Sequence, residues 1–285
     1  MNSVFLFFRY TLLELLRRRI LLAVSLLTML LLLLSAWGYF HITSVLCAPN
    51  CQPRTIRLAA GLMLMLMLFM FNTILAISSA FAAAPIIAAD IDSGVILAIL
   101  PRPISRWQLI IGKWTALCFA LLCYAGVVVL GELLLAHAAT GYLPPHPIFG
   151  FLYLAGESIA LLSLSLFAST RWPPLAVGVS VVILYGIGWI SGVTSTIGQT
   201  LGSQTAQTIG TVISLLLPTD GLWRGALYNF EPTIIQLGMS AARDNPGNAP
   251  FLVEAPPTPA YVIWSIAWIA TVLIGAMYSF SHRDF

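Results

Sequence analysis

Apolar residues along this chain gather into six long runs, at about 20–40, 58–84, 109–136, 151–168, 175–196 and 261–280. Each is close to the roughly 20 residues that a helix needs to cross a ~30 Å hydrocarbon core. None shows the polar–apolar alternation of barrel strands, so the runs predict membrane-spanning helices. An even number of spans places both chain ends on one side. Ahead of the first run, Phe5, Phe8, Leu12 and Leu15 share a helical face, opposite Tyr10, Glu14, Arg17 and Arg18. Residues 1–19 therefore predict an amphipathic elbow helix lying in the interface and turning into the first span. A plain cytoplasmic extension of that span is the blander alternative. The fold class expected is all-α integral membrane, with 1–285 forming a single transmembrane domain.

Composition agrees with this pattern: 59% of residues are hydrophobic, 8% are charged and mean hydropathy is +0.95, values of a chain that lives in lipid. Charge adds orientation. Arg9, Arg17, Arg18, Arg19, Arg102, Arg106, Lys113, Arg171 and Arg283 fall on one side of the six spans, and Arg54, Arg57, Arg224 and Arg243 on the other. The richer side is expected to be cytoplasmic, with both termini. That bias accounts for the net charge of +3 and leaves no case for nucleic-acid binding. The first run is longer than a signal-peptide core and ends in LSAWGYFH, without a small-x-small cleavage site.

The oily pattern is broken most sharply at 85–108, on the cytoplasmic side. Asp90 and Asp92 mark the exit of the second span, and Asp92-Ser93-Gly94 can turn the chain and cap a short apolar helix over 95–100, built from Val95, Ile96, Leu97 and Leu100. Pro101 and Pro103 end it. Ser105 and Gln108 form a capping-box pattern for the third span, flanked by Arg102 and Arg106, and Lys113 can snorkel to the interface. A short apolar helix held at the surface calls for a partner. A loop whose arginines only set topology is the blander reading.

The external segment 197–259 is rich in Ser, Thr, Gln, Pro and Gly. It holds an apolar run too short to span, a turn at 218–221, and the group Trp223, Arg224 and Tyr228. It reads as a re-entrant or interfacial hairpin; the aromatic pair would then anchor at headgroup level, or else form a gate or partner surface. Glu132, near the outer end of the third span, and Glu157, in the first turns of the fourth, lie at similar depth with His137 one turn beyond Glu132. Interfacial solvation is the expectation, and a polar vestibule with Asn72 the sharper alternative.

Cys47 and Cys51 flank a turn in the first external loop and can form a small disulfide; two thiolates without a nearby histidine make a poor metal site. Cys118 and Cys123 read as ordinary buried cysteines of the third span. Met63, Met67 and Met70 share a face of the second span, where packing is favoured over a soft-metal path. No metal ligand set is assigned. The chain has no phosphate loop, no H-E-x-x-H and no paired intramembrane aspartates, so no enzyme is expected in it.

The run of an acidic residue, Asp92-Ser93-Gly94, a short apolar stretch, PRPISR and IIGKW resembles the signature of type-2 ABC transporter permeases, most closely the branch that includes the nitrous-oxide-reductase maturation permease. The terminal SFSHRDF is similar to the RRDF-like ending of that branch. The resemblance implies a type V exporter-like fold, in which 95–100 is a coupling helix seated in a cytoplasmic ATPase dimer that binds ATP and Mg. It also implies a second permease chain, identical or homologous, and a bacterial inner-membrane location. No cofactor is expected on this chain itself. Export by alternating access is the implied function. A non-transporting anchor that couples the ATPase to an external protein is the alternative.

Overall fold

The computed structural model describes residues 3–16, 19–46, 53–92, 106–231, 253 and 255–282. Among them the regular structure is helical throughout: α1 (Ser3–Leu16), α2 (Arg19–Leu46), α3 (Pro53–Asp92), α4 (Arg106–Thr140), α5 (Pro147–Ser169), α6 (Pro174–Thr200), α7 (Gln204–Leu216), α8 (Thr219–Phe230) and α9 (Pro259–Ser281). Six of these, α2 to α6 and α9, are long and apolar enough to cross a membrane. The chain is a multi-pass membrane protein.

Helix starts follow simple backbone rules. Prolines open α5, α6 and α9, where their fixed φ suits the first turn and their missing N–H is no loss. The α6–α7 hairpin turns on Gly202, at φ +68°. There Ser203 N–H donates to Gly198 O at 2.9 Å and Gly202 N–H to Gln199 O at 3.4 Å, the paired bonds of a Schellman stop. The Ser203 hydroxyl then caps α7 by accepting from Ala206 N–H at 3.5 Å.

The spanning helices run further than the apolar pattern predicted, α3 the most. The second span was expected to end at 84, yet α3 continues through Pro85 to Asp92. Alanine-rich sequence on both sides of the proline favours helix, and Ala83, Ala84 and Ile86 are buried against neighbours, which outweighs one missing ladder bond. Asp92 is accordingly the last residue of α3 rather than a free turn residue. α4 likewise begins at Arg106 and ends at Thr140, outside the predicted 109–136.

Packing sorts the bundle into two ends. One core cluster joins Phe7 and Leu15 of α1, Ile86 of α3, Leu109 and Ile110 of α4, Leu166 of α5 and Phe280 of α9. At that end Ser279 meets Thr170 Oγ1 at 2.9 Å and accepts from Arg171 Nε at 3.0 Å. The other cluster joins Tyr39 of α2, Ala136 of α4, Tyr142, Leu154 of α5, Trp223 and Phe230 of α8, and Val253. The N-terminal helix and the end of the last span thus share one end of the bundle, as an even span count requires.

A helix forms ahead of the first span. Phe7, Thr11 and Leu15 are buried, while Phe5, on the apolar face read from the sequence, is 56% exposed. The apolar arc is wider than its protein contact, and the remainder faces outward.

Candidate functional site

The sequence IIGKW, in the first turns of α4, reaches three neighbours with three consecutive residues. Successive side chains on a helix point about 100° apart, so one turn can address separate partners. A Cβ at Gly112 would lie 2.7 Å from Phe7 Cβ and 2.9 Å from Val4 O, so glycine lets α1 cross α4 at backbone distance. Lys113 is only 5% exposed and its Nζ donates to Ile86 O at 2.8 Å. Trp114 Nε1 donates to Ser163 Oγ at 2.9 Å in α5. The expectation that Lys113 snorkels to the interface is therefore corrected. The second lone pair of the Ile86 carbonyl offers an acceptor inside the bundle, and the ammonium turns inward to it.

These contacts hold both stems of the 93–105 connection, the end of α3 and the start of α4. The expected coupling residues Ser93, Gly94, Val95, Ile96, Leu97, Leu100, Pro101, Arg102, Pro103 and Ser105 lie outside the described residues. Arg106 opens α4, where a capping serine at 105 was expected. Cys47 and Cys51 also lie outside.

At the opposite end the described part of the segment between α6 and α9 folds into the bundle. α7 descends along α6, with Gly210 against Ser195 and Ser191, and α8 returns through a pocket of small residues. A Cβ at Gly188 would meet Thr219 Oγ1 at 2.6 Å, and one at Gly192 would collide with the Asp220 carboxylate. Further along α8, Gly225 receives Tyr153, and Phe230 sits on Gly150. The helix thus begins beside the middle of α6 and ends beside the first turn of α5. Its 12 residues rise ~18 Å, about half of a ~30 Å core. From α9, the Tyr261 hydroxyl donates to Ser214 O at 3.0 Å and Trp264 Nε1 to Leu215 O at 2.9 Å, which fastens the turn between α7 and α8.

This placement overturns the headgroup-anchor reading of Trp223. Its ring is 5% exposed and stacks at a tilt on Phe69 of α3, with centroids 5.8 Å apart. Tyr228 is partly buried against the same cluster. The residues read as a turn at 218–221 include the first turn of α8, where Asp220 accepts from Arg224 Nε at 2.8 Å and Arg224 Nη2 donates to Thr196 Oγ1 at 2.9 Å.

The two intramembrane carboxylates are also not solvated at an interface. Glu132 is fully buried; its Oε2 accepts from Ser35 Oγ of α2 at 2.7 Å, and Tyr39 lies beside it. Glu157, near the middle of the 23-residue α5, is 1% exposed. Its Oε1 accepts from Asn72 Nδ2 at 3.3 Å, and the same amide lies 3.4 Å from the Tyr185 hydroxyl. Glu132 Oε1 and Glu157 Oε2 are buried with no hydrogen-bond partner. His137 is exposed and does not join Glu132. The error came from judging depth by distance to a predicted helix end: α8 covers the outer half of α5, and α2 covers Glu132.

Outside the spans, Glu231 closes α8 by donating its N–H to Leu227 O at 2.9 Å, and its carboxyl is fully buried beside Tyr142. Burial pushes that carboxyl up to about 7, with the Val253 backbone pulling the other way. Burial likewise raises the Tyr142 hydroxyl, and the Glu231 charge adds to it. Tyr142 spends its proton on Phe230 O, at 3.1 Å.

The remaining candidates have plain roles. Met63 and Met67 pack with Phe71, Val128 and Leu32, while Met70 faces outward. Cys118 is buried, but Cys123 is exposed, against the expectation that both were inside. Among the described residues no cluster of three or more His, Cys, Asp or Glu could hold a metal ion. No protein-family model matches this chain, and no curated protein matches it.

Proposed function

We propose that this chain is the permease subunit of an ABC exporter in a bacterial inner membrane, driven by a cytoplasmic ATPase dimer and paired with a second permease chain. The observation that carries the reading is the clasp at Gly112, Lys113 and Trp114. It ties both stems of the 93–105 segment to α1, α3 and α5 at once. A push delivered to that segment by a partner is then passed to three helices within one turn. A loop serving only to orient the chain needs no such clasp.

Arg9, Arg106, Lys113 and Arg171 lie at the clasp end of the bundle, and the positive-inside bias supports a cytoplasmic side for it. The α7–α8 hairpin at the other end fits the external element that the family resemblance implies. The cavity beside Asn72, bounded by Leu68, Tyr124, Val128 and Leu154, holds about 10 Å³, room for roughly one water. That favours a substrate path between two copies over one through this part of the bundle.

The test is purification of the tagged chain from its native host in mild detergent, with identification of copurifying proteins and an assay of ATP hydrolysis. A stoichiometric ATPase is expected, lost on joint Arg102→Glu and Arg106→Glu exchange or on Ile96→Pro, with membrane insertion intact. Unchanged copurification and activity in those variants would sink the coupling assignment. A lone chain, under conditions that preserve known complexes, would move the reading to an ATP-independent carrier or anchor.

A further inference from the structure

The space between α3, α5, α6 and α8 carries an unbalanced charge. Glu157 of α5 and Asp220 of α8 lie within electrostatic reach of one another, and both are buried. Arg224 is the cation paired with Asp220. The other polar groups facing Glu157 are neutral: Asn72 and Thr73 of α3, Tyr185 of α6 and Tyr261 of α9, with Tyr124 of α4 across the small cavity. Two carboxylates against one guanidinium leave one negative charge, which a membrane interior does not tolerate uncompensated.

Two buried oxygens on the helices around this space are left to be satisfied. Glu157 Oε2 and Thr219 Oγ1 are both buried and both lack a partner. Tyr185, Gly188 and Gly192 fall on one face of α6, and that face carries Glu157's neighbour Tyr185 and the seats of Thr219 and Asp220. A divalent ion fits neither the charge count nor the donors, since such ions take six or more oxygens or near-ideal octahedral shells.

We propose that Glu157, Thr219 and Asp220 delimit an intramembrane site for one monovalent cation, a proton or a sodium-sized ion, whose occupancy keeps α8 seated. Loss of the cation sets the Glu157 and Asp220 carboxylates against each other, and the close seat of Thr219 and Asp220 on Gly188 and Gly192 leaves α8 no slack to absorb the repulsion. The first turn of α8 is then the part that moves, and the outer end of the bundle opens. The inference concerns the chain alone and holds whether or not an ATPase drives it.

The test uses the purified full chain in lipid nanodiscs. Hydrogen exchange of residues 219–230, corrected for intrinsic rates, is followed against pH in sodium-free buffer and against sodium at fixed alkaline pH. Protection is expected to fall several-fold when protons and sodium are both scarce. Recovery by acid alone identifies the proton, and recovery by sodium identifies the metal ion. Glu157→Gln, a neutral isostere, should stay protected under every condition. Asp220→Asn removes the second carboxylate and with it the repulsion across the site, so it should abolish the dependence too, a second route should the first variant fold poorly. Protection of wild-type chain that ignores both cations overturns the site, as does a cation dependence that persists in Glu157→Gln.

Discussion

At the clasp end of the bundle each polar side chain drawn inward reaches an acceptor: the Lys113 ammonium on a carbonyl of α3, the Trp114 indole on a serine of α5, Arg171 on a serine of α9. At the hairpin end Glu132, Glu157 and Glu231 are all buried, and each keeps at least one carboxylate oxygen without a partner. The difference follows from what helices offer. Carbonyls near the end of a helix can take an extra donor, so a buried cation finds a partner easily. A carboxylate needs donors, and in a helix interior every N–H is already committed. A membrane protein can thus bury cations in a fixed joint, whereas buried acids wait on a proton, an ion or a movement.

The comparison breaks most visibly if the hairpin is forced out of its seat. Gly192→Val places a side chain where Asp220 lies, between α6 and a helix that is fixed on its other sides by Tyr153 and Tyr261. Stability should fall by about 3 kcal/mol, the upper end for overpacking, because nothing nearby can give. Gly112→Val is the matched change at the clasp. There α1 has an exposed outer face and can slide toward lipid, so the loss should be about 1 kcal/mol. Thermal melting of both variants in the same detergent checks the ranking, and equal losses would contradict it.

A pH series sharpens the same contrast. The Glu231 carboxyl is pushed up from 4.5 to about 7 by burial, so it favours the neutral form in the folded chain. Its folded-state value exceeds its unfolded one. The stability it allows is therefore fully present below about 4.5 and is lost as pH rises through about 7. Wild-type melting temperature should drop across that window, with up to about 3 kcal/mol at stake. Glu231→Gln should lessen that slope and raise the stability at the alkaline end. A wild-type profile that is flat across the window, or a variant that keeps the slope, would assign the effect elsewhere.

How much of this was open to sequence reading depends on the length scale of the cause. Six apolar runs, and with them an all-helical fold, are local properties of hydrophobicity, and these were legible. The second span was ended at 84 because its apolar run stops there, whereas packing of the alanines around Pro85 carries the helix on, and packing is not local. Asp220 was read as a turn residue beside Pro218 and Gly221, since its meaning depends on Gly192 in another helix. Glu157 was placed too shallow for the same reason: burial was judged along its own helix, while α8 supplies the cover. One signal was available in retrospect. Gly188 and Gly192, like Gly221 and Gly225, repeat at the four-residue spacing that lets helices approach closely, and two such pairs on neighbouring segments point to a tight seat. The clasp showed as a motif, but its division of labour among Gly112, Lys113 and Trp114 required the neighbours to be in place.

The smallest effect, and the most specific to the fixed end, is expected at Lys113. Replacing it with methionine keeps most of the stem that packs inside the bundle and removes the ammonium that holds Ile86 O. A charge-assisted bond of this kind is worth about 1.5–3 kcal/mol, but methionine also removes the cost of burying a charge, so the net loss should be near 1 kcal/mol. The melting temperature alone is then a weak readout. What the joint should lose is its stiffness: α3 would no longer follow α4. Hydrogen exchange over the last turns of α3 should rise in Lys113→Met, while the hairpin at 219–230 stays as protected as in the wild-type chain. Equal loosening at both ends would mean that the clasp and the hairpin form one cooperative unit, and the contrast between a fixed joint and a cation-dependent seat would be lost.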